Sequence, residues 1–158
     1  MEISAKFVHT NLIARDWKKM ADFYQAVFGC VPVPPERNLS GPDISKAAGI
    51  EHAHIRGMHL LLPGWGSEGP TLEIFSYHPE MDGLKPAVNR PGFGHIAFQV
   101  EDVRKATDAI LAAGGAAVGE VVEVQVGEKF VTFAYVADPE GNILEVQSWS
   151  GHSISQDH

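Results

Sequence analysis

The chain contains a single cysteine, Cys30, among 158 residues. An internal disulfide is therefore impossible, and the fold must rest on buried apolar surface, which a chain of this length can supply. No charged-then-apolar leader and no long apolar run precedes the first strand, so the expectation is a soluble protein in a reducing, cytoplasmic setting. Basic residues are also scarce, twelve Lys and Arg against twenty Asp and Glu, for a net charge of −8. Without a run of Lys or Arg the electrostatic footprint that phosphate backbones require is missing. Nucleic acid is not an expected partner, and the acidic surface opposes anionic membranes. A small anionic substrate could still be held by one or two local arginines or by the charge of a bound metal.

What the chain does contain is a repeat. The strand-like stretch Phe93-Gly94-His95-Ile96-Ala97-Phe98-Gln99-Val100 has an earlier counterpart in Phe7-Val8-His9-Thr10-Asn11-Leu12-Ile13-Ala14. Each is apolar with a histidine third, and each leads into a helix start at an aspartate, Asp16 or Asp102. A second pair follows in the same order, Gly69-Pro70-Thr71-Leu72-Glu73-Ile74 and Gly141-Asn142-Ile143-Leu144-Glu145-Val146. Two copies of one unit are expected, each opening on a histidine strand and closing on a glutamate strand.

In the first copy, Trp17, Met20, Ala21, Phe23, Tyr24, Val27 and Phe28 mark the apolar face of a helix that Gly29 ends. Residues 31–49, broken by Pro32, Pro34, Pro35 and Pro42, read as a mobile insertion holding an edge strand or loop and a short helix from Pro42 or Asp43 to Ala48. His52–Leu62 reads as a strand with His52, His54, Arg56 and Met58 on one face and Ala53, Ile55, Gly57 and His59 on the other. Thr71–Tyr77 follows, with Glu73, Phe75 and Tyr77 opposite Leu72, Ile74 and Ser76. The organisation expected is a first βαβββ module over 1–78, a linker over 79–92, a second βαβββ module over 93–149, and a polar tail over 150–158. The second module carries a helix from about Val103 to Ala113 and strands near 117–126, 130–137 and 143–149.

Glu73 and Glu145 sit in apolar strands, where a carboxylate is costly unless it is paired or bound to a cation. With His9 and His95 they offer nitrogen and oxygen donors and no thiolate, a set that suits one divalent ion (Zn, Ni, Co, Mn or Fe) with positions left for water or substrate. Asn11, Arg56, Phe75, Tyr77, Ala97, Gln99 and Gln147 share strand parity with these residues or lie on a neighbouring strand's polar face. Among them Asn11, Arg56, Phe75 and Gln99 are the candidates for substrate contact, Arg56 because a guanidinium binds carboxylate or phosphate in bidentate fashion. The clustered histidines of the 52–62 strand cannot form one tight three-ligand site, since His59 faces away from His52 and His54.

Residues 7–149, with the motifs Phe-Gly-His-Ile-Ala-Phe at 93–98 and Asp-Pro-Glu-Gly-Asn at 138–142, resemble the vicinal oxygen chelate superfamily. That group includes glyoxalase I, methylmalonyl-CoA epimerase, fosfomycin-resistance enzymes, extradiol dioxygenases and bleomycin-binding proteins. The resemblance implies an α+β fold in which two βαβββ modules form a cup-shaped mixed sheet with helices outside, and a homodimer. It assigns the metal to His9, Glu73, His95 and Glu145. It also implies chelation of two neighbouring substrate oxygens, with Glu145 first and Glu73 second as the base beside a metal-stabilised enolate, in the manner of an isomerase, epimerase or lyase. Three further readings stay in view. An extradiol Fe(II) dioxygenase would use only His, His and Glu; a drug-binding resistance protein would bind without turnover; and fosfomycin-type transfer would need a basic pocket, for which Arg15, Arg37 and Arg56 are the candidates.

Overall fold

A computed structural model describes residues 2–152 of the chain. The tail expected over 150–158 lies outside the described residues from 153 onward. Two compact units divide between Gly83 and Leu84. The first holds β1 (His9–Ile13), α1 (Trp17–Phe28), β2 (Val31–Ser40), α2 (Pro42–Ala48), β3 (His54–Leu61) and β4 (Thr71–His78). The second holds β5 (Ile96–Gln99), α3 (Val103–Ala112), β6 (Ala116–Ala117), β7 (Val122–Val126), β8 (Lys129–Ala137) and β9 (Ile143–Ser150). Among the described residues three helices and two mixed sheets make an α+β fold, as the repeat leads one to expect.

In the first unit the strand order is β1-β4-β3-β2, with β1 parallel to β4 and the other pairs antiparallel. A parallel pair needs a crossover, and α1 supplies part of it. The Asp16 carboxylate accepts the N–H of Lys19 at 3.0 Å and opens the helix, while Gly29, at φ 67°, closes it in a left-handed conformation that a glycine reaches without strain. The buried face of α1, formed by Trp17, Met20, Ala21, Phe23 and Tyr24, meets the even-numbered face of the sheet, where Leu60, Leu72 and Ile74 are also buried. The Ser76 hydroxyl fixes the corner between β1 and α1 by donating to the Ala14 carbonyl at 2.7 Å and accepting the Trp17 N–H at 3.3 Å. The odd-numbered side chains of β1, β3 and β4 are thereby turned to the opposite face. In the 31–49 segment β2 forms the sheet edge and runs through Pro32, Pro34 and Pro35, with its pairing to β3 shifting register between Val33 and Arg37.

The second unit repeats the plan, with β5 parallel to β9 and β9 antiparallel to β8. Asp102 caps α3 through the N–H groups of Arg104 and Lys105. Buried Val103 and Ile110 of α3 accompany Ala134, Val136, Leu144 and Val146 in this unit's core. One expectation needs correction: the strand near 117–126 is two strands, β6 and β7, each paired with β8. Between them the N–H groups of Val118 and Gly119 both turn to the Tyr135 carbonyl, at 3.2 and 3.3 Å, which interrupts the ladder. His54 rather than His52 begins β3, because His52 has φ 54° and belongs to the preceding turn.

The Asp-Pro-Glu-Gly-Asn segment is a turn closed on its own aspartate. Asp138 is buried, and its Oδ1 accepts the N–H groups of Glu140 and Asn142, both at 3.0 Å, while the Asn142 amide reaches Oδ2 at 2.9 Å. This turn delivers the chain from β8 into β9 in the register that sets Glu145 opposite Tyr135.

Asp138→Ala leaves those donors unpaired and should lower stability by roughly 2–3 kcal/mol in urea unfolding, with Asp138→Asn less damaging. Burial pushes the Cys30 thiol from 9.0 to about 11, partly offset by a backbone hydrogen bond. A thiol reagent at pH 8 should therefore label Cys30 only after unfolding. The unfolded chain releases this proton first, so the group's contribution to stability is complete below pH 9.0 and drains as pH rises toward about 11.

Candidate metal centre

The odd-numbered face of the first sheet gathers the polar side chains. Across its central row the register runs Val33, His59, Glu73, Asn11, from the edge strand β2 to β1. Directly opposed residues project to one face, so His59 and Asn11 flank the Glu73 carboxylate. Glu73 Oε2 lies 2.6 Å from His59 Nε2, and Oε1 accepts the Asn11 amide at 2.7 Å. His9, two residues before Asn11 on the same face, brings its Nε2 to 3.7 Å from Oε1. Donor atoms of His9, His59 and Glu73 all fall within 4.8 Å of one another. The Thr71 hydroxyl is 3.2 Å from His59 Nδ1 and fixes the ring, the kind of support that metal-binding imidazoles carry on their second nitrogen. Two imidazoles and one carboxylate of low exposure fit a divalent transition ion.

The second unit reproduces the relation between histidine and glutamate. Ala97 is the β5 partner of Glu145, as Asn11 is the β1 partner of Glu73, and His95 precedes Ala97 by the same step that His9 precedes Asn11. His95 Nε2 stands 2.9 Å from Glu145 Oε2. Tyr135 takes the place of His59, opposite the glutamate on the antiparallel neighbour, with its ring 5.2 Å from that of His95. The copies therefore differ in their supports. Glu73 is held by an amide and an imidazole besides His9, whereas His95 is the one ion-pair partner of Glu145 among the described residues.

Phe75 and Tyr77 share the face of Glu73, and Phe75 meets the His59 ring edge-on at 6.0 Å. Gln99 and Gln147, paired with each other, share the face of Glu145. Arg56 does not join them. Its partner is Ser76, so it projects to the α1 side, where it reaches Glu36 at 3.7 Å and lines a cavity of about 460 Å³ with Arg15, Lys18, His54 and His78. His54 lies on that side too and meets Asn38 at 2.6 Å.

Sequence reasoning overlooked His59. It compared the histidines along one strand; pairing the 52–62 strand antiparallel with 71–77 would have set His59 against Glu73. Burial lowers the pKa of His59; the charges of Arg37 and His9 act the same way, and Glu73 opposes them.

The model of the Glyoxalase/Bleomycin resistance protein/Dioxygenase superfamily matches residues 6–146. The chain is similar to a "Probable lactoylglutathione lyase" of Vibrio parahaemolyticus, 29% identical over 146 residues and covering 90% of each chain. Its fold is similar to that of a glyoxalase family protein from Bacillus cereus, with a TM-score of 0.79, 16% identity and coverage of 94% of this chain and 96% of the other. It is also similar to a fosfomycin resistance protein from Listeria monocytogenes, solved with Mn(II) and sulfate, with a TM-score of 0.51, 20% identity and coverage of 99% and 98%.

Because the folded pKa of His59 lies below 6.5, the unfolded chain takes up this proton first on acidification. The contribution of neutral His59 to stability is complete above pH 6.5 and is lost as pH falls toward the folded value. Urea midpoints of metal-free protein measured across pH 5 to 7.5 should show that slope, flattened in His59→Gln.

Proposed function

The chain belongs to the glyoxalase/bleomycin resistance protein/dioxygenase superfamily, and from that membership we propose that it is a divalent-metal-dependent isomerase, epimerase or lyase of the glyoxalase type. Its substrate is a small molecule with two adjacent oxygens and an acidic carbon beside a carbonyl. The metal-binding residues in this reading are His9 and Glu73 of the first unit and His95 and Glu145 of the second. The observation that supports it is the recurrence of one histidine–glutamate relation, at the same strand offset, in both units. The lyase name of the Vibrio relative and the Mn(II) of the Listeria structure point the same way. The protein is read as a cytoplasmic homodimer; among the described residues no helix is long and apolar enough to cross a membrane.

A divalent ion at these residues would supply Lewis-acid stabilisation of charge developing on the paired substrate oxygens. The proton is the task of the chain. Glu145 is the first choice to remove it from the carbon and return it to a neighbouring one, since among the described residues His95 alone pairs with its carboxylate. Glu73, the second choice, is held by Asn11 and His59 and suits a fixed ligand better than a moving base. Phe75 and Gln99 are read as substrate contacts. Asn11, which shares the face of Glu73 and donates to it, is read as a substrate contact as well, whereas Arg56 lies on the other face of its sheet.

A second reading has one observation in its favour. His9, His59 and Glu73 by themselves make two imidazoles and a carboxylate, the donor set of non-haem Fe(II) oxygenases.

Protein purified without chelators should carry about one equivalent of Ni, Co, Zn or Mn, reduced in His9→Ala and in Glu145→Gln. In a screen of hemithioacetals and acyl-thioesters, Glu145→Gln reloaded with metal should turn over about 10²–10⁴-fold more slowly. Iron together with oxygen uptake on catechols would favour the second reading. No metal after reconstitution would sink both.

A further inference from the structure

We propose that Arg37 is a substrate-binding residue, and that the substrate carries a carboxylate or comparable anionic group beyond its two adjacent oxygens. This inference rests on the metal-dependent reading above and narrows its substrate class.

The placement comes from strand register. Arg37 pairs with Gly57, Gly57 with Phe75, and Phe75 with Ile13, forming the row beside Val33, His59, Glu73 and Asn11. Directly opposed residues share a face, so Arg37 projects on the side of His59 and Glu73. The register shift between Val33 and Arg37 preserves this, because both residues pair with odd-numbered positions of β3. Glu36 and Asn38 turn the other way, toward Arg56 and His54.

Three features of Arg37, taken together, mark it among the cations of this sheet. Every other residue of β2 is exposed, while Arg37 is partly covered. Arg15 is matched by Glu80 and Asp82, and Arg56 by Glu36, but no carboxylate pairs with Arg37 among the described residues. The guanidinium donates to the Pro35 carbonyl, which uses one of its five N–H groups. Its neighbour in the row is a glycine for a stated reason: a Cβ at Gly57 would stand 2.0 Å from the Ile74 carbonyl oxygen and 2.5 Å from Phe75 Cδ1. No side chain at 57 stands between Arg37 and Phe75 along this row.

An unmatched cation beside a metal site opposes the metal and favours an anion, and those effects have opposite signs. A guanidinium that merely braced the Pro35 carbonyl would show neither.

The test uses Mn(II)-loaded protein and two hydroxamates that chelate through adjacent oxygens, acetohydroxamate and its carboxylate-bearing relative succinohydroxamate. The wild type should bind succinohydroxamate about tenfold or more tightly. Arg37→Met should abolish that preference, leave acetohydroxamate binding within about twofold and bind Mn(II) at least as tightly as the wild type; Arg37→Lys should retain part of the preference. A wild type without preference, a preference that survives in Arg37→Met, or an equal loss of both hydroxamates would overturn the proposal. Should Arg37→Met fail to fold, Arg37→Lys decides it by the same ratio. If the wild type takes up none of Mn(II), Ni(II), Co(II) and Zn(II), the functional reading falls, and succinate titrated into metal-free protein decides Arg37 separately: binding lost in the variant upholds it, and no binding, or binding that survives in the variant, overturns it.

Discussion

A carboxylate placed on the inner row of an apolar sheet must find a partner or lose its charge, and that constraint organises both units. Glu73 meets it with His59, Asn11 and His9; Glu145 meets it with His95. The strands bearing these residues are fixed from behind by α1 and α3, whose apolar faces cover the even-numbered side chains and turn the odd-numbered ones to the opposite face. Ser76 and Asp138 serve the same end at a distance, one by locking the β1 corner and the other by setting the entry into β9.

The duplication is exact in backbone offset and inexact in side chains. Where the first unit has Asn11 and His59 around its glutamate, the second has Ala97 and Tyr135. Neither alanine nor a tyrosine ring contact restrains a carboxylate as an amide and an imidazole do. Among the described residues, one copy thus surrounds its carboxylate with three polar side chains and the other with one.

Periodicity within the central strands was legible. The alternation of Glu73 with Leu72 and Ile74, the apolar stripe of α1, and the caps at Asp16, Gly29 and Asp102 all stand where the pattern of residues puts them. Register between strands was not. His59 was assigned to the correct face of its strand, yet its partner Glu73 becomes visible only once β3 is laid against β4. Arg56 illustrates the same limit from the other direction, since residues 56 and 59 have opposite parity and only 59 falls opposite the glutamate. The break between β6 and β7 depends on two N–H groups converging on the Tyr135 carbonyl, a tertiary event with no local signature beyond Gly119.

The prolines of β2 have a consequence outside the site. This strand is the outer member of its sheet, and Pro32, Pro34 and Pro35 have no N–H to offer along it. A bare edge is a template on which a second chain can extend the sheet, and edges interrupted in this way resist such growth. The segment that carries Arg37 is therefore also an edge poorly suited to seed aggregation, and exchanging its prolines would remove that protection.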